Sequence, residues 1–337
     1  MNRLTILQRR ELTMRNSSLA IAMVLISGAV AAACCMLPAS YEGTISQNAQ
    51  EAVLIHDGDR EELILRIDYK IVGKSMPNNF AWIITVPNEP DRYEVADERL
   101  FEDMFHLAET LLRPPARSTS TLGGAKLETS GLEFGMRVQV GPYDIQPVRA
   151  LGREALAGLN EWLGNNGFPT EDPEHMAYFV DNKFTFLCVK VLPPKEQESV
   201  GKHGKLPPLH LSFKSSTTYY PLRFSSRQGV FDVNLYVLTK RKLDYEANGD
   251  PLQRLRWSNK EFKRNVALRP EAMPKTLADV FKNSRFKDDT GSWYFNNIRG
   301  KDVNKGNAIA KWDKDIFFRT GVASGPSQSD DRRLASR

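Results

Sequence analysis

The densest run of chemistry-bearing side chains lies at residues 253–264, where Arg254, Arg256, Lys260, Lys263 and Arg264 interleave with Trp257 and Phe262. Guanidinium and ammonium groups pair with phosphates and carboxylates, and neighbouring aromatic faces hold cations or stack on flat groups. The run therefore predicts an anionic surface contact through Arg254, Arg256, Trp257, Lys260, Lys263 and Arg264. A basic surface laid over aromatic core residues would read the same way. Residues 291–297 add Trp293, Tyr294 and Phe295.

Other chemistries find less footing. The histidines are His56, His106, His175, His203 and His210; none forms an HExxH motif or an i,i+4 pair. His106 has Glu102, Asp103 and Glu109 near it in sequence, as on a solvated helix face. No metal or cofactor is expected. Asp57-Gly58-Asp59 lacks the ligand spacing and closing Glu of a calcium loop and reads better as a turn. There is no GxSxG and no phosphate-binding GxxxxGK[ST]. Adjacent carboxylates (Glu61-Glu62, Glu102-Asp103, Asp288-Asp289) carry no distance information, so a glycosidase reading has no support. Tyr219-Tyr220-Pro221-Leu222-Arg223 could face a ligand or be an edge strand stopped by proline.

The first 33 residues read as a secretory signal. Arg3, Arg9, Arg10 and Arg15 precede an apolar run from Leu19 to Val30, which ends in Ala31-Ala32-Ala33. The run is short for a membrane span, which needs about 20 residues. Ala31 and Ala33 sit at −3 and −1 of the expected cut. That cut leaves Cys34 first, a position where bacterial lipoproteins carry their lipid, so Cys34 is a possible lipid anchor; ordinary cleavage to a soluble product is the alternative. The remaining cysteines, Cys35 and Cys188, could bridge in an oxidising compartment. Charge is uneven: about −7 over 34–239 and about +8 over 240–319. That asymmetry fits docking to a polyanion or one region packing on the other.

Several elements follow from periodicity. Residues 51–55 and 63–72 flank the Asp57-Gly58-Asp59 turn as a β-hairpin. Leu65, Ile67, Tyr69 and Ile71 alternate with Arg66, Asp68 and Lys70, predicting one core face and one wet face. Residues 80–87 read as an interior strand. A helix is expected from a cap at Asp97 to Leu112, with Leu100, Phe101, Met104, Phe105, Leu107 and Ala108 inward. Residues 113–131 read as a flexible loop. Strands follow at 132–140 and 143–148. A second helix spans 154–163, and a third lies near 173–180. Further strands are expected at 184–191, 209–213, 219–224 and 231–238. A short helix is expected near 275–281. The chain divides into a signal (1–33), a β-rich domain (34–239), a basic C-terminal region (240–320) and a disordered tail (321–337). The fold class is α+β: mainly an antiparallel sheet or sandwich with two or three amphipathic helices.

A sequence pattern runs through the first two of these parts. Ala33-Cys34-Cys35 is followed by Gln50-Glu51-Ala52-Val53-Leu54-Ile55 and by Phe80-Ala81-Trp82-Ile83-Ile84-Thr85-Val86-Pro87. Then come Val140-Gly141-Pro142-Tyr143-Asp144 and Leu159-Asn160-Glu161-Trp162-Leu163-Gly164-Asn165-Asn166-Gly167-Phe168, ending on the strand at 184–191 and Tyr220-Pro221-Leu222-Arg223. In this order the chain resembles the bacterial family of domain of unknown function 2330 over about 33–240. The resemblance implies export and an envelope setting, and no catalytic residues. Three functions stay in view. The first is a non-enzymatic binding or scaffold module of the cell envelope with an envelope partner. The second is a binder of anionic lipid or cell-wall polymer through 240–319, with nucleic acid not expected. The third is an extracytoplasmic hydrolase, which needs a pocket joining a nucleophile to a His or carboxylate.

Overall fold

The computed structural model describes residues 34–113, 137–149, 153–194, 197–257 and 262–321. The expected cleavage residues Ala31 and Ala33, Lys260, most of the 113–131 loop and the tail from 322 onward lie outside the described residues. The chain begins with β1 (Cys35–Met36), β2 (Gly43–His56), β3 (Arg60–Gly73), β4 (Phe80–Val86), β5 (Arg92–Val95) and α1 (Leu100–Leu111). It continues with β6 (Val138–Val140), β7 (Tyr143–Arg149), α2 (Arg153–Asn165), α3 (Pro173–Asp181), β8 (Thr185–Val191) and β9 (His203–Lys205). Next are β10 (Leu209–Lys214), β11 (Thr218–Tyr220) and β12 (Asp232–Thr239). The last elements are α4 (Gly249–Arg254), β13 (Val266–Leu268), α5 (Lys275–Lys282), β14 (Trp293–Gly300) and β15 (Ile316–Phe318). The class is α+β, rich in antiparallel strands.

Two sheets carry the core. One runs β1-β4-β8-β7-β6; the larger runs β13-β14-β12-β2-β3-β10-β5, with β9 added beside β3. The β12–β2 pair is parallel. The β2–β3 hairpin turns at Asp57-Gly58-Asp59, where Gly58 takes φ +112, a conformation L side chains rarely adopt. Arg285 pairs with both Asp57 and Asp59, so these acids serve the turn.

The large sheet is apolar on both faces through its centre. Leu63, Leu65 and Ile67 join Phe80, Ile84 and Leu187 in the core it shares with the smaller sheet. Val53, Ile55 and Ile64 join Leu100, Met104, Leu277 and Phe281 beneath α1 and α5. The expected alternation of β3 is present, with Leu65, Ile67, Tyr69 and Ile71 buried and Arg66, Asp68 and Lys70 more open; before Arg66 both faces are covered. Burial at this density, at roughly 25 cal/mol per Å2 of apolar surface, is the main term holding the sheet and helices together.

Three local expectations are corrected. The α1 helix begins at Leu100 with Arg99 at its cap; Asp97 accepts the Arg99 amide in the preceding turn. Phe105 points outward, 43% exposed, and Arg299 lies over its ring. The strand expected at 219–224 stops at Tyr220. Asp315 takes the amides of Leu222 and Arg223 at 2.7 and 2.8 Å, and that chain bends into a 3-10 turn, Arg223–Arg227.

The expected break at 239/240 is not a structural boundary. β14 pairs with β12 from Val233 to Thr239, β15 pairs with β11, and Asp315 accepts the Tyr219 hydroxyl at 2.8 Å. Residues 240–320 complete the sheet and core of the acidic part. Trp293 and Phe295 are fully buried under α5, and Phe262 is 4% exposed, so three of the aromatics read beside the basic run belong to the core.

Candidate anion-binding site

The site is assembled on the last strand of the large sheet. Gly300 ends β14 and forms an isolated bridge with Trp257. A Cβ at position 300 would lie 2.1 Å from the Leu255 carbonyl oxygen, so glycine is what lets the 255–257 segment approach. Arg256, within that segment, is held at φ +52, a left-handed conformation costing a non-glycine residue roughly 1–2 kcal/mol. Further along β14, the fully buried Asn296 accepts the Tyr245 hydroxyl at 3.0 Å and the Asn265 amide at 2.7 Å. The Asn265 side chain in turn bonds both backbone groups of Leu243. One asparagine thus fixes Tyr245 and the residue that follows Arg264.

These supports create a cavity of about 420 Å3 lined by Tyr245, Gly249, Leu252, Gln253, Arg256, Trp257 and Arg264. Its size matches a small-molecule site. The Arg264 guanidinium lies 4.4 Å from the Tyr245 ring centre and 4.5 Å from that of Trp257, whose rings are 5.5 Å apart. Among the described residues two cations and no carboxylate line the cavity. Among the described residues neither Arg256 nor Arg264 has an ion-pair partner. The Trp257 indole Nε1 is buried without a hydrogen-bond partner. Burial pushes the Tyr245 hydroxyl up to about 12, with Arg264 opposing, so it remains a donor to Asn296.

The structure sorts the expected contact residues. Arg256, Trp257 and Arg264 come together. Arg254 does not join them; it pairs with Asp250 and Asp313 and lies over Trp312. Lys263 is exposed, its amide bonded to the Leu112 carbonyl, and is not in the lining. Tyr245, Gln253 and Asn296 were not read from the sequence. Only Gln253 lay inside the basic run, and the others are positioned by pairings remote in the chain.

The expected Cys35–Cys188 bridge is corrected. All three thiols are free and buried. Cys35 pairs with Trp82, which pairs with Val189, whereas Cys188 pairs with Ile83. Cys35 and Cys188 are therefore two strand spacings apart, about 10 Å, beyond the reach of a disulfide. The Cys34 thiol is bonded inside the fold, donating to Gln47 Oε1 at 3.5 Å and accepting from Ser225 at 3.3 Å. Burial pushes the Cys35 and Cys188 thiols up, away from nucleophilic thiolate. A cavity of about 20 Å3 beside Cys34, Gln50 and Ser225 has room for a single water.

Elsewhere, His106 is 69% exposed beside Glu102. Tyr219 and Tyr220 are fully buried, with hydroxyls on Asp315 and Gln50, so they offer no ligand surface. Among the described residues no three His, Cys, Asp or Glu side chains gather as a metal site. A buried cluster joins Glu62, His210, Ser212 and Arg92 where β3, β10 and β5 meet. Another joins Glu171, His175 and Ser226 at the start of α3. Neither cavity above includes His175 or Ser226.

Fold and site together define an α+β protein, built on two large sheets and the β11–β15 pair, with a basic, aromatic cavity beside β14 of the larger sheet. A family model described as "uncharacterized protein conserved in bacteria (DUF2330)" matches residues 28–279. The chain belongs to that family, and the match reaches past residue 240 through Arg256, Trp257 and Arg264. Comparison with curated proteins gives no match. Among solved structures, baculovirus P35 is 11% identical, with 84% of this chain and 99% of that chain covered and a TM-score of 0.41. A mutated baculovirus P35 after caspase cleavage is 9% identical, with 82% and 100% covered and a TM-score of 0.34. Those scores define neither fold nor function for this chain.

Proposed function

We propose that this protein is an exported binding module of the bacterial cell envelope that takes an anionic group in the Tyr245–Trp257–Arg264 cavity. Export rests on the signal-like first 33 residues. No helix among the described residues is long and apolar enough to cross a membrane. The observation that carries binding is that Arg256 and Arg264 both line a cavity of about 420 Å3 with no acid among the described residues of its wall. Arginine meets phosphate or carboxylate through a planar fork of donors, and its hydrogen bonds to them are charge-assisted. The aromatic pair holds Arg264 in place, so less entropy is lost when it binds.

Phosphate and carboxylate reach an envelope protein on lipid headgroups or on wall polymers. Calorimetric titration of the full chain with phosphatidylglycerol vesicles, phosphatidylcholine vesicles and a soluble polyuronate separates the sources. Binding to one anionic probe, lost in Arg256→Ala/Arg264→Ala and weakened by salt, supports the proposal. Equal binding by wild type and double variant, or none to either anionic probe, refutes it.

A further inference from the structure

We propose that Ser226, His175 and Glu171 form a second, separate site: a serine nucleophile with its base and positioning residue, acting on short-chain carboxylic esters. His175 Nε2 lies 3.2 Å from the Ser226 hydroxyl, and His175 Nδ1 lies 2.9 Å from Glu171 Oε2. Nucleophile, base and orienting carboxylate stand in the order that acyl transfer needs. The network sets the proton positions: Nδ1–H donates to Glu171, leaving Nε2 to accept from Ser226.

Each member is held from outside the cluster. Asn160 bonds both backbone groups of Glu171, at 2.7 and 3.0 Å. The His175 ring stacks on Phe224 at 4.6 Å. Asn304 donates to the carbonyls of Ser226 and Gly229, both at 2.8 Å. Arg227, which pairs with Asp172 and Glu171, places a cation beside the cluster. Glu171 Oε1 is buried without a partner.

The fold contains its own contrast. In the Glu62–His210 cluster, Ser212 donates to Glu62 Oε1 at 2.9 Å, His210 is flanked by Glu62 and Glu94, and Arg92 closes the set. That serine bonds the carboxylate and not the imidazole, as in an ion-pair lock. Of these two clusters only that of Ser226 has the hydroxyl on the ring.

Ser226 is 7% exposed, and the next residue, Arg227, pairs with Asp172, which is 43% exposed. With so little of Ser226 open, the substrate we propose is an ester with a short acyl chain. Ser226 Oγ bonds to the acyl carbon while its proton passes to His175 Nε2, and the alcohol leaves carrying that proton. Water then attacks the acyl-serine, His175 takes the water's proton and returns it to Ser226, and the free acid departs.

The test is a fluorophosphonate probe on the folded full chain, read by intact mass and peptide mapping. Ser226 Oγ displaces fluoride from phosphorus, so one phosphonyl adduct is expected on the peptide bearing Ser226, and none in Ser226→Ala. His175→Ala should slow labelling about 100-fold or more, the usual worth of a positioned base. Should that variant not fold, Glu171→Gln, close in size, should lower kcat for p-nitrophenyl acetate at least tenfold at unchanged KM. Absence of an adduct on Ser226 in folded wild type, or labelling unchanged by His175→Ala, overturns the proposal.

Discussion

Arg256 is where the candidate site departs from what stability alone would select. A left-handed arginine with no ion-pair partner among the described residues costs the fold energy, and such strain persists where a function holds it. Arg256→Gly should therefore unfold at equal or higher denaturant concentration than wild type, by up to about 1 kcal/mol, while losing anion binding. Denaturant titration and calorimetry on the same samples check both halves. Asn296 makes the opposite prediction. Asn296→Ala leaves the Tyr245 hydroxyl and the Asn265 amide without their acceptor, a cost of about 1–3 kcal/mol for each buried group. It should lower both stability and affinity. Residue types located Arg256, Trp257 and Arg264, because cations interleaved with aromatics are visible as composition. Arg254 looked equivalent until its partners were known. Asp250 four residues earlier was a legible hint, but Asp313 is brought in by the fold alone.

At the scale of elements, the close approach of the 255–257 segment to β14 depends on one glycine. Gly300→Ala places a methyl group 2.1 Å from the Leu255 carbonyl, and the segment must move. The expected result is a loss of about 1–3 kcal/mol, as for other overpacked sites, with weaker anion binding because Trp257 moves with the segment. Thermal unfolding and vesicle titration test this together. The β2–β3 hairpin, β4, α2 and α3 were legible because their periodicity and punctuation agree with their burial. β14 was not, although Trp293, Phe295 and Asn297 alternate with Tyr294 and Asn296. Its aromatics drew attention as chemistry when they were acting as core. β3 was legible from Leu65 onward, where Leu65, Ile67, Tyr69 and Ile71 are buried and alternate with the more open Arg66, Asp68 and Lys70; what the pattern did not show is that helices from two distant segments bury Ile64 before it.

For the molecule as a whole, the acidic and basic parts are one body, and the charge asymmetry is used partly inside it. Cutting the chain at Thr239 would strip β14 from β12 and remove Asp315 from Tyr219, so only point variants separate binding from folding. The buried polar groups also shape the response to pH. Burial raises the Glu61 carboxyl well above its ordinary 4.5, outweighing the Tyr219 amide it accepts, and Glu62 raises it further. From pH 4.5 upward the unfolded chain releases this proton while the folded chain keeps it. The folded state then binds more protons, so this group makes stability fall as pH rises toward its raised value. Glu61→Gln should flatten that decline. Denaturant midpoints of both proteins between pH 4.5 and 8 should converge at the acid end and separate above it; parallel curves would contradict the assignment.

The central claim is that an anionic group enters the cavity beside Trp257, and the indole N–H of that residue reports on it directly. The chain has five tryptophans, and the other four, Trp82, Trp162, Trp293 and Trp312, are outside the lining. A 15N-labelled sample titrated with the anionic probe that binds calorimetrically should move the Trp257 indole cross-peak in saturable fashion, leave the other four in place, and show no movement in Arg256→Ala/Arg264→Ala. Saturable binding that leaves the Trp257 peak unmoved would place the ligand elsewhere and contradict the account.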